Sequence, residues 1–172
     1  ARAVLARLRE LIPAKSTQDH HGRGLAFSQY KNRQTYAAVA VDVRVEGDGS
    51  VELIEAWIVA DAGLVIDPDG LRNQLEGGFI QSASWTLKEQ VSFDETGIHS
   101  IDWHTYPILD FTEIPHITTT LMDYPNEAPL GAGEATTGPT PAAIANAIDD
   151  AVGLRLRDIP FTPDRVRENA LR

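Results

Sequence analysis

The alternation of apolar and polar residues that begins at Tyr36 constrains the fold of this chain more than any other feature. It predicts a β-strand with one buried face and one face in water. Asp48-Gly49 then predicts a hairpin turn, because this pair tolerates positive φ. The following residues 51–60 (VELIEAWIVA) are apolar on both faces and predict an internal partner strand. The alternating residues are Ala37, Val39, Val41, Val43 and Val45 on one side and Asp42, Arg44 and Glu46 on the other.

Several segments carry the start, stop or face signals of helices. Residues 1–12 place apolar side chains on one helical face, and the polar residues 13–24 predict a loop after this helix. Asp67-Pro68 has the cap-then-proline order that opens a helix, which we expect to run to about residue 88. The same reasoning predicts a helix from a Thr140 cap and Pro141 to a Gly153 stop, and a short final helix after Thr162-Pro163.

Two further segments predict strands, at residues 98–106 and 117–124. The mixture of elements is typical of the α+β class. We therefore expect a mixed sheet that contains the β-hairpin and packs against helices, in a single domain over residues 1–172. No internal repeat is visible.

The composition excludes several classes of function. Asp and Glu number 25 against 15 for Lys and Arg, and no basic block stands out, so nucleic acid is not an expected partner. No apolar run reaches the roughly 18 residues of a membrane span. The chain has no cysteine, which excludes disulfides, thiolate metal sites and iron–sulfur clusters held by this chain. Its five histidines show no ligand spacing, so no metal ligands are predicted.

A stripe of small and amide side chains runs along the predicted helix after Pro68. Gln74, Gly77, Gly78 and Gln81 are spaced i, i+3, i+4 and i+7, although each glycine costs a helix about 1 kcal/mol relative to alanine. One interpretation is close packing of the helix on a neighbouring backbone. The other is a ligand laid along the helix and bound by the amides. The opposite face should pack on the sheet, through Leu75, Phe79, Ala83 and Leu87.

The glycine-rich stretch 130–141 (LGAGEATTGPTP) predicts a loop that a ligand approaches closely. It is not a phosphate loop, because Pro139 stands where a lysine is needed and an acid would repel phosphate. It also lacks the context and spacing of a dinucleotide fingerprint. Gly131 and Gly133 leave room beside Glu134, and the apolar neighbours would desolvate its carboxylate and make it a base. The alternative is an ordinary acid near a helix start.

Two motifs occur in a fixed order, QLEGGFIQ at residues 74–81 and GAGE at 131–134. Further motifs are GRGLAFSQY at 22–30, VADAGLVIDP at 59–68, and PAAIANAI followed by GLRLRDIPFTP at 141–163. From about residue 20 to 165, the chain resembles the C-terminal part of the molybdopterin-binding subunit of the xanthine dehydrogenase/aldehyde oxidase family. The isoquinoline 1-oxidoreductase-like branch is the most similar. The fold implied is that of a molybdopterin-binding domain.

The resemblance implies a role for individual residues. Glu134 would be the base that takes a proton from a molybdenum-bound hydroxyl, whose oxygen attacks a carbon of an aldehyde or N-heterocycle while a hydride passes to the molybdenum sulfido ligand. Ala132 and Gly133 would supply backbone beside the cofactor. Gln74 matches the glutamine that contacts molybdopterin, and Gln81 would extend this contact.

The resemblance also implies a larger assembly. Such subunits are several times longer, so we expect a piece of a molybdenum subunit or one chain of a split subunit. Its partners would be the remainder of that subunit and an iron–sulfur small subunit. The cofactor would be molybdopterin in its cytosine dinucleotide form, absent from the isolated chain, which would be inactive and self-associate. The compartment, bacterial cytoplasm or periplasm, stays open because no targeting segment is visible.

Two alternatives from other functional classes remain. One is a non-catalytic binding or assembly module that keeps the fold without metal. The other is a structural α+β domain with an incidental Gly-Glu loop, which does not explain why two helix glycines are in register with two glutamines.

Overall fold

The chain folds around a four-stranded mixed sheet in a computed structural model that describes residues 1–170. The strands are β1 (His21–Gln29), β2 (Tyr36–Val45), β3 (Val51–Asp61), β4 (Phe93–Asp94), β5 (Gly97–Ile98) and β6 (His116–Met122), and the helices are α1 (Arg2–Leu11), α2 (Pro68–Leu87), α3 (Pro139–Val152) and α4 (Pro163–Ala170). The strand order of the sheet is β1-β2-β3-β6, with antiparallel pairs except for the parallel pair of β3 and β6. The α+β class is confirmed.

The predicted hairpin of β2 and β3 is confirmed. Gly49 has a φ of 85°, and the Asp48 side chain accepts a hydrogen bond from the backbone N–H of Ser50 at 2.9 Å. β3 lies between β2 and β6, as its two apolar faces predicted. The expectation of one face in water was wrong for the first half of β2. Ala38 and Ala40 are buried there, because α1 packs on that face through Val4 and Leu8.

The other face of the sheet carries the main core, which α2, α3 and α4 cover. α2 begins where predicted, since the Asp67 side chain accepts a hydrogen bond from the N–H of Gly70 at 3.1 Å. Its predicted apolar face, with Leu75, Phe79 and Ala83, is completely buried. Burial of such a face supplies most of a helix's stability in a protein. This packing fixes the opposite, polar side of α2 at the molecular surface.

The ends of α3 and α4 differ slightly from expectation. α3 stops at Gly153, whose φ of 73° is the predicted left-handed stop, but it begins at Pro139 rather than Pro141. Thr140 is therefore not the cap. It lies inside the helix, and its hydroxyl donates to the carbonyl of Thr136 at 2.7 Å. Thr162 does cap α4, since its Oγ1 accepts from the N–H of Arg165 at 3.4 Å.

Two predicted segments were wrong. The loop 13–24 ends early, because β1 already begins at His21. Gly22 and Gly24 indicated a loop, but they are required in the strand: a Cβ on Gly24 would lie 1.9 Å from the carbonyl oxygen of Ala143 in α3. The predicted strand 98–106 is strand only at Gly97–Ile98. The side chain of Asp102 instead accepts from the N–H groups of the next residues and closes a turn.

Candidate functional site

The loop of residues 129–138, here called the Glu134 loop, lies against the polar side of α2. Gln74 Nε2 donates to the carbonyl oxygen of Gly133 at 3.2 Å. Further along the loop, Thr136 Oγ1 donates to the carbonyl oxygen of Leu75 at 2.8 Å. The fold thus brings together the two motifs that are separated by sixty residues of sequence.

The stripe of α2 formed by Gln74, Gly77, Gly78 and Gln81 has a buried part and an exposed part. Gly78 is buried, and a Cβ on it would lie 2.6 Å from the Thr136 hydroxyl oxygen, so this glycine permits close packing of loop on helix. A Cβ on Gly77 would meet nothing within 4 Å. Gln74 and Gln81 are exposed, and Gly77 also lies at the surface. The packing interpretation therefore accounts for Gly78, and the rest of the stripe is a free surface with an amide at each end.

A turn at residues 30–35 holds the other side of the Glu134 loop. The N–H of Gly131 donates to Gln34 Oε1 at 2.7 Å. The hydroxyl of Thr35 donates to the carbonyl oxygen of Gly131 at 2.9 Å, and Thr35 is completely buried. The loop is therefore fixed at Gly131 on one side and at Gly133 on the other.

Glu134 directly follows these two anchors. Its Oε2 accepts a hydrogen bond from the Tyr30 hydroxyl at 3.1 Å, and its carbonyl oxygen accepts one from Thr137 Oγ1 at 2.8 Å. The expected desolvation by loop neighbours was wrong within this chain. The Glu134 side chain is exposed, because Ala135 turns into the core instead of covering the carboxylate.

The helix-start interpretation of Glu134 finds no support in its contacts. The first residue of α3 is Pro139, and no side chain caps that helix. Glu134 lies five residues before α3 begins, and its carboxylate is bonded to Tyr30 instead.

Sequence reasoning missed Tyr30, Gln34 and Thr35 as part of the site. Their contacts span 96 to 104 residues along the chain, which no local periodicity can reveal. The one available signal was the GRGLAFSQY motif, whose last residue is Tyr30.

The surface near Glu134 carries three exposed glycines and two exposed amides. Gly77, Gly131 and Gly133 lie at the surface and present backbone without side-chain bulk. The amides of Gln74 and Gln81 offer both donors and acceptors at the edge of this surface. Within residues 1–170, no group of three or more His, Asp or Glu side chains gathers that could hold a metal ion by itself. That part of the chain also contains no helix long and apolar enough to cross a membrane.

Comparison with protein families gives a match over most of the chain. A model of the molybdopterin cofactor-binding domain family matches residues 7–115, which include α2 and end before the Glu134 loop.

Two curated proteins illustrate the similarity. The chain is 43% identical over 153 residues to a nicotinate dehydrogenase chain of Pseudomonas putida, an alignment that covers 85% of this chain and 13% of that protein. It is 30% identical over 141 residues to the beta subunit of isoquinoline 1-oxidoreductase of Brevundimonas diminuta, which covers 81% of this chain and 18% of that protein. The chain thus spans less than a fifth of the length of these relatives.

Solved structures share the fold. Quinoline 2-oxidoreductase of Pseudomonas putida 86 superposes with a TM-score of 0.73 at 23% identity, over 80% of this chain and 19% of that one. The aldehyde oxidoreductase of Desulfovibrio desulfuricans gives a TM-score of 0.70 at 27% identity, over 78% of this chain and 15% of that one.

Proposed function

This chain belongs to the molybdopterin cofactor-binding domain family of the xanthine dehydrogenase/aldehyde oxidase oxidoreductases, and we propose that Glu134 is the proton acceptor of such an enzyme. The complete enzyme would oxidise an aldehyde or an N-heterocycle, with water as the source of oxygen. The names of the relatives, which include nicotinate, isoquinoline and aldehyde enzymes, support this substrate class.

One observation carries the proposal. The hydrogen bond from Gln74 to the carbonyl of Gly133 joins the exposed stripe of α2 to the loop whose next residue is the exposed Glu134. A carboxylate next to a smooth surface that carries donors and acceptors can accept a proton from a group bound on that surface. The carboxylate without a neighbouring binding surface, or the surface without a carboxylate, could not accept a proton from a bound group.

The residues that would hold the molybdenum cofactor are Gln74, Ala132 and Gly133. Gln74 would bind through its amide, whose Oε1 makes no protein hydrogen bond among the described residues, and the other two would offer backbone. When bound, the cofactor supplies oxygen transfer from water and takes up the two electrons of the substrate. We propose its cytosine dinucleotide form, which the resemblance to the isoquinoline 1-oxidoreductase-like branch implies.

Two hydrogen bonds within the chain hold Glu134 in position to accept a proton. The Tyr30 hydroxyl occupies Oε2, so Oε1 is the oxygen left to accept the proton. Thr137 fixes the backbone of Glu134 through its carbonyl, and this limits the movement of the side chain. A group held in place before the reaction loses less entropy in the transition state.

The exposure of the Glu134 carboxylate supports a proposal about the partners of this chain. A base in a catalytic site works best when water is excluded from it, and this chain leaves the carboxylate open. We therefore propose that the remainder of the molybdenum subunit covers it and that the chain alone is inactive. This chain has no cysteine to hold an iron–sulfur cluster. We propose, as the family resemblance implies, that the electrons leave through a separate iron–sulfur subunit.

The substitution Glu134→Gln in the assembled enzyme tests this proposal. Glutamine keeps the shape of the side chain but cannot accept the proton, so we expect turnover to fall about 100- to 10,000-fold, the usual contribution of a general base. Molybdenum content, measured on the same sample, should stay unchanged. Glu127→Gln is the matched control, because Glu127 is an exposed glutamate before the same loop and should keep full turnover.

Near-normal turnover of Glu134→Gln with full molybdenum content would contradict the proposal. That result would assign proton acceptance to another group of the enzyme. A chain that never associates with a molybdenum-bearing partner would instead favour the alternative, a non-catalytic binding or assembly module that retains the fold without metal.

A further inference from the structure

We propose that Tyr30 is a positioning residue that orients the Glu134 carboxylate and leaves its Oε1 as the oxygen that receives the proton. This inference rests on the proposed function in one respect, that Glu134 is the base. The contact that motivates it joins the Tyr30 hydroxyl to Glu134 Oε2 at 3.1 Å, between residues 104 positions apart in the sequence.

Tyr30 is itself fixed by the turn in which it lies. Its N–H donates to the carbonyl of Thr35 at 2.9 Å, and its carbonyl accepts from the N–H of Gln34 at 2.8 Å. The two residues after it have positive φ, 48° at Lys31 and 60° at Asn32, which tightens the turn. The ammonium of Lys31 also lies 5.1 Å from the centre of the Tyr30 ring, where a cation is attracted to the aromatic face.

The same turn also fixes the loop that carries Glu134. Gln34 and Thr35 bind the backbone of Gly131 at both its N–H and its carbonyl. The turn 30–35 therefore holds both Tyr30, which is the donor, and the loop that carries Glu134, which is the acceptor. A hydrogen bond between two groups held in this way is not an incidental contact of two mobile surface side chains.

The bond has two consequences. It holds the carboxylate in one orientation before the reaction, which lowers the entropy lost in the transition state. It also occupies Oε2, so the proton is received on Oε1 while Tyr30 keeps its own proton and continues to donate to Oε2. Tyr30 breaks and forms no covalent bond and acts only through Glu134.

The substitution Tyr30→Phe removes this hydroxyl and leaves the ring. The chain offers a matched control, because the hydroxyl of Tyr106 donates to Oε2 of Glu89 at 2.9 Å. Tyr106→Phe therefore deletes the same kind of bond outside the site. Circular dichroism of both variants establishes that each is folded.

The first readout needs neither cofactor nor activity. A water-soluble carbodiimide modifies accessible carboxyl groups, and peptide mass spectrometry follows the rate of modification at Glu134 and Glu89 at one fixed pH in the full chain. In Tyr30→Phe we expect the rate at Glu134 to rise about 2- to 10-fold, because Oε2 loses its hydrogen bond, while the rate at Glu89 stays unchanged. In Tyr106→Phe only the rate at Glu89 should rise.

The second readout is the assembled enzyme. In Tyr30→Phe we expect kcat to fall roughly 3- to 10-fold, with KM unchanged, because a hydrogen bond to a charged group is lost. Tyr106→Phe should leave both kcat and KM unchanged.

The outcomes separate this inference from the proposed function. If Glu134→Gln is inactive but Tyr30→Phe matches the original enzyme in both readouts, the role of Tyr30 is overturned and the role of Glu134 stands. If the modification rate at Glu134 rises while kcat of both Tyr30→Phe and Glu134→Gln stays normal, Tyr30 orients a carboxylate that is not the base, and both proposals fail.

Discussion

Two irregular regions of this molecule are held in opposite ways. The Glu134 loop is bonded to residues between 59 and 104 positions away in the sequence, on α2 and in the turn 30–35. The connection of residues 88–115, between α2 and β6, is closed mainly by its own turns. There the side chains of Asp94, Asp102 and Asp110 accept hydrogen bonds from residues two or three positions ahead.

These local hydrogen bonds lower the pKa of three aspartates in the connection. Hydrogen bonds from the backbone N–H and hydroxyl of Thr105 hold the pKa of Asp102 below its ordinary value. The hydroxyls of Thr96 and Thr112 lower the pKa of Asp94 and Asp110 in the same way. Each turn is therefore stabilised by residues within the turn itself.

The connection 88–115 and the Glu134 loop also differ in the kind of surface that they present. Large apolar side chains of the connection stand in water, with Phe111 95% exposed and Trp103 74% exposed. Such a surface is typical of a contact region that another polypeptide covers. The Glu134 loop has the anchoring expected of a functional site, since such sites are held by residues whose own positions are fixed.

The largest effect should come from the glycines of α2, which test whether loop and helix are packed together. Gly78→Ala should lower the free energy of unfolding by about 1 to 3 kcal/mol, because the new methyl group meets the buried Thr136 hydroxyl. Gly77→Ala should raise it by up to about 1 kcal/mol, since its methyl group enters open space and alanine favours the helix. Urea denaturation of both variants checks this. Equal changes of the same sign would refute the packing of the loop on α2.

A smaller effect should come from the turn that holds the other side of the loop. Thr35→Val removes the buried hydroxyl that donates to Gly131 and should cost about 1 kcal/mol of unfolding free energy. Thr119 on β6 is the matched control, because its buried hydroxyl has no hydrogen-bond partner among the described residues. Thr119→Val should therefore be neutral or stabilising in the same urea experiment. A Thr35→Val variant as stable as Thr119→Val would show that the turn does not hold the loop.

The sequence predicted the parts of the fold that depend on local signals. The hairpin turn at Asp48-Gly49 and the cap at Asp67 involve neighbours in the chain, so pattern alone was sufficient. Motifs in a known order predicted Gln74 and Glu134 as site residues, and the fold brings Gln74 against the loop of Glu134. β1 was missed in part because Gly22 and Gly24 are typical of loops, and only the backbone of α3 shows why a strand needs them. Tyr30 was missed for a similar reason, as its partner lies 104 residues away.

Hydrogen–deuterium exchange tests most directly whether the fold of this chain builds the Glu134 loop. Mass spectrometry of the full chain would compare peptides from residues 129–138 with peptides from residues 88–115. We predict slow exchange in the loop, where the N–H groups of Leu130, Gly131 and Thr137 are bonded, and fast exchange in most of the connection. A loop that exchanges as fast as the connection would contradict this account, because its shape would then depend on something outside this chain.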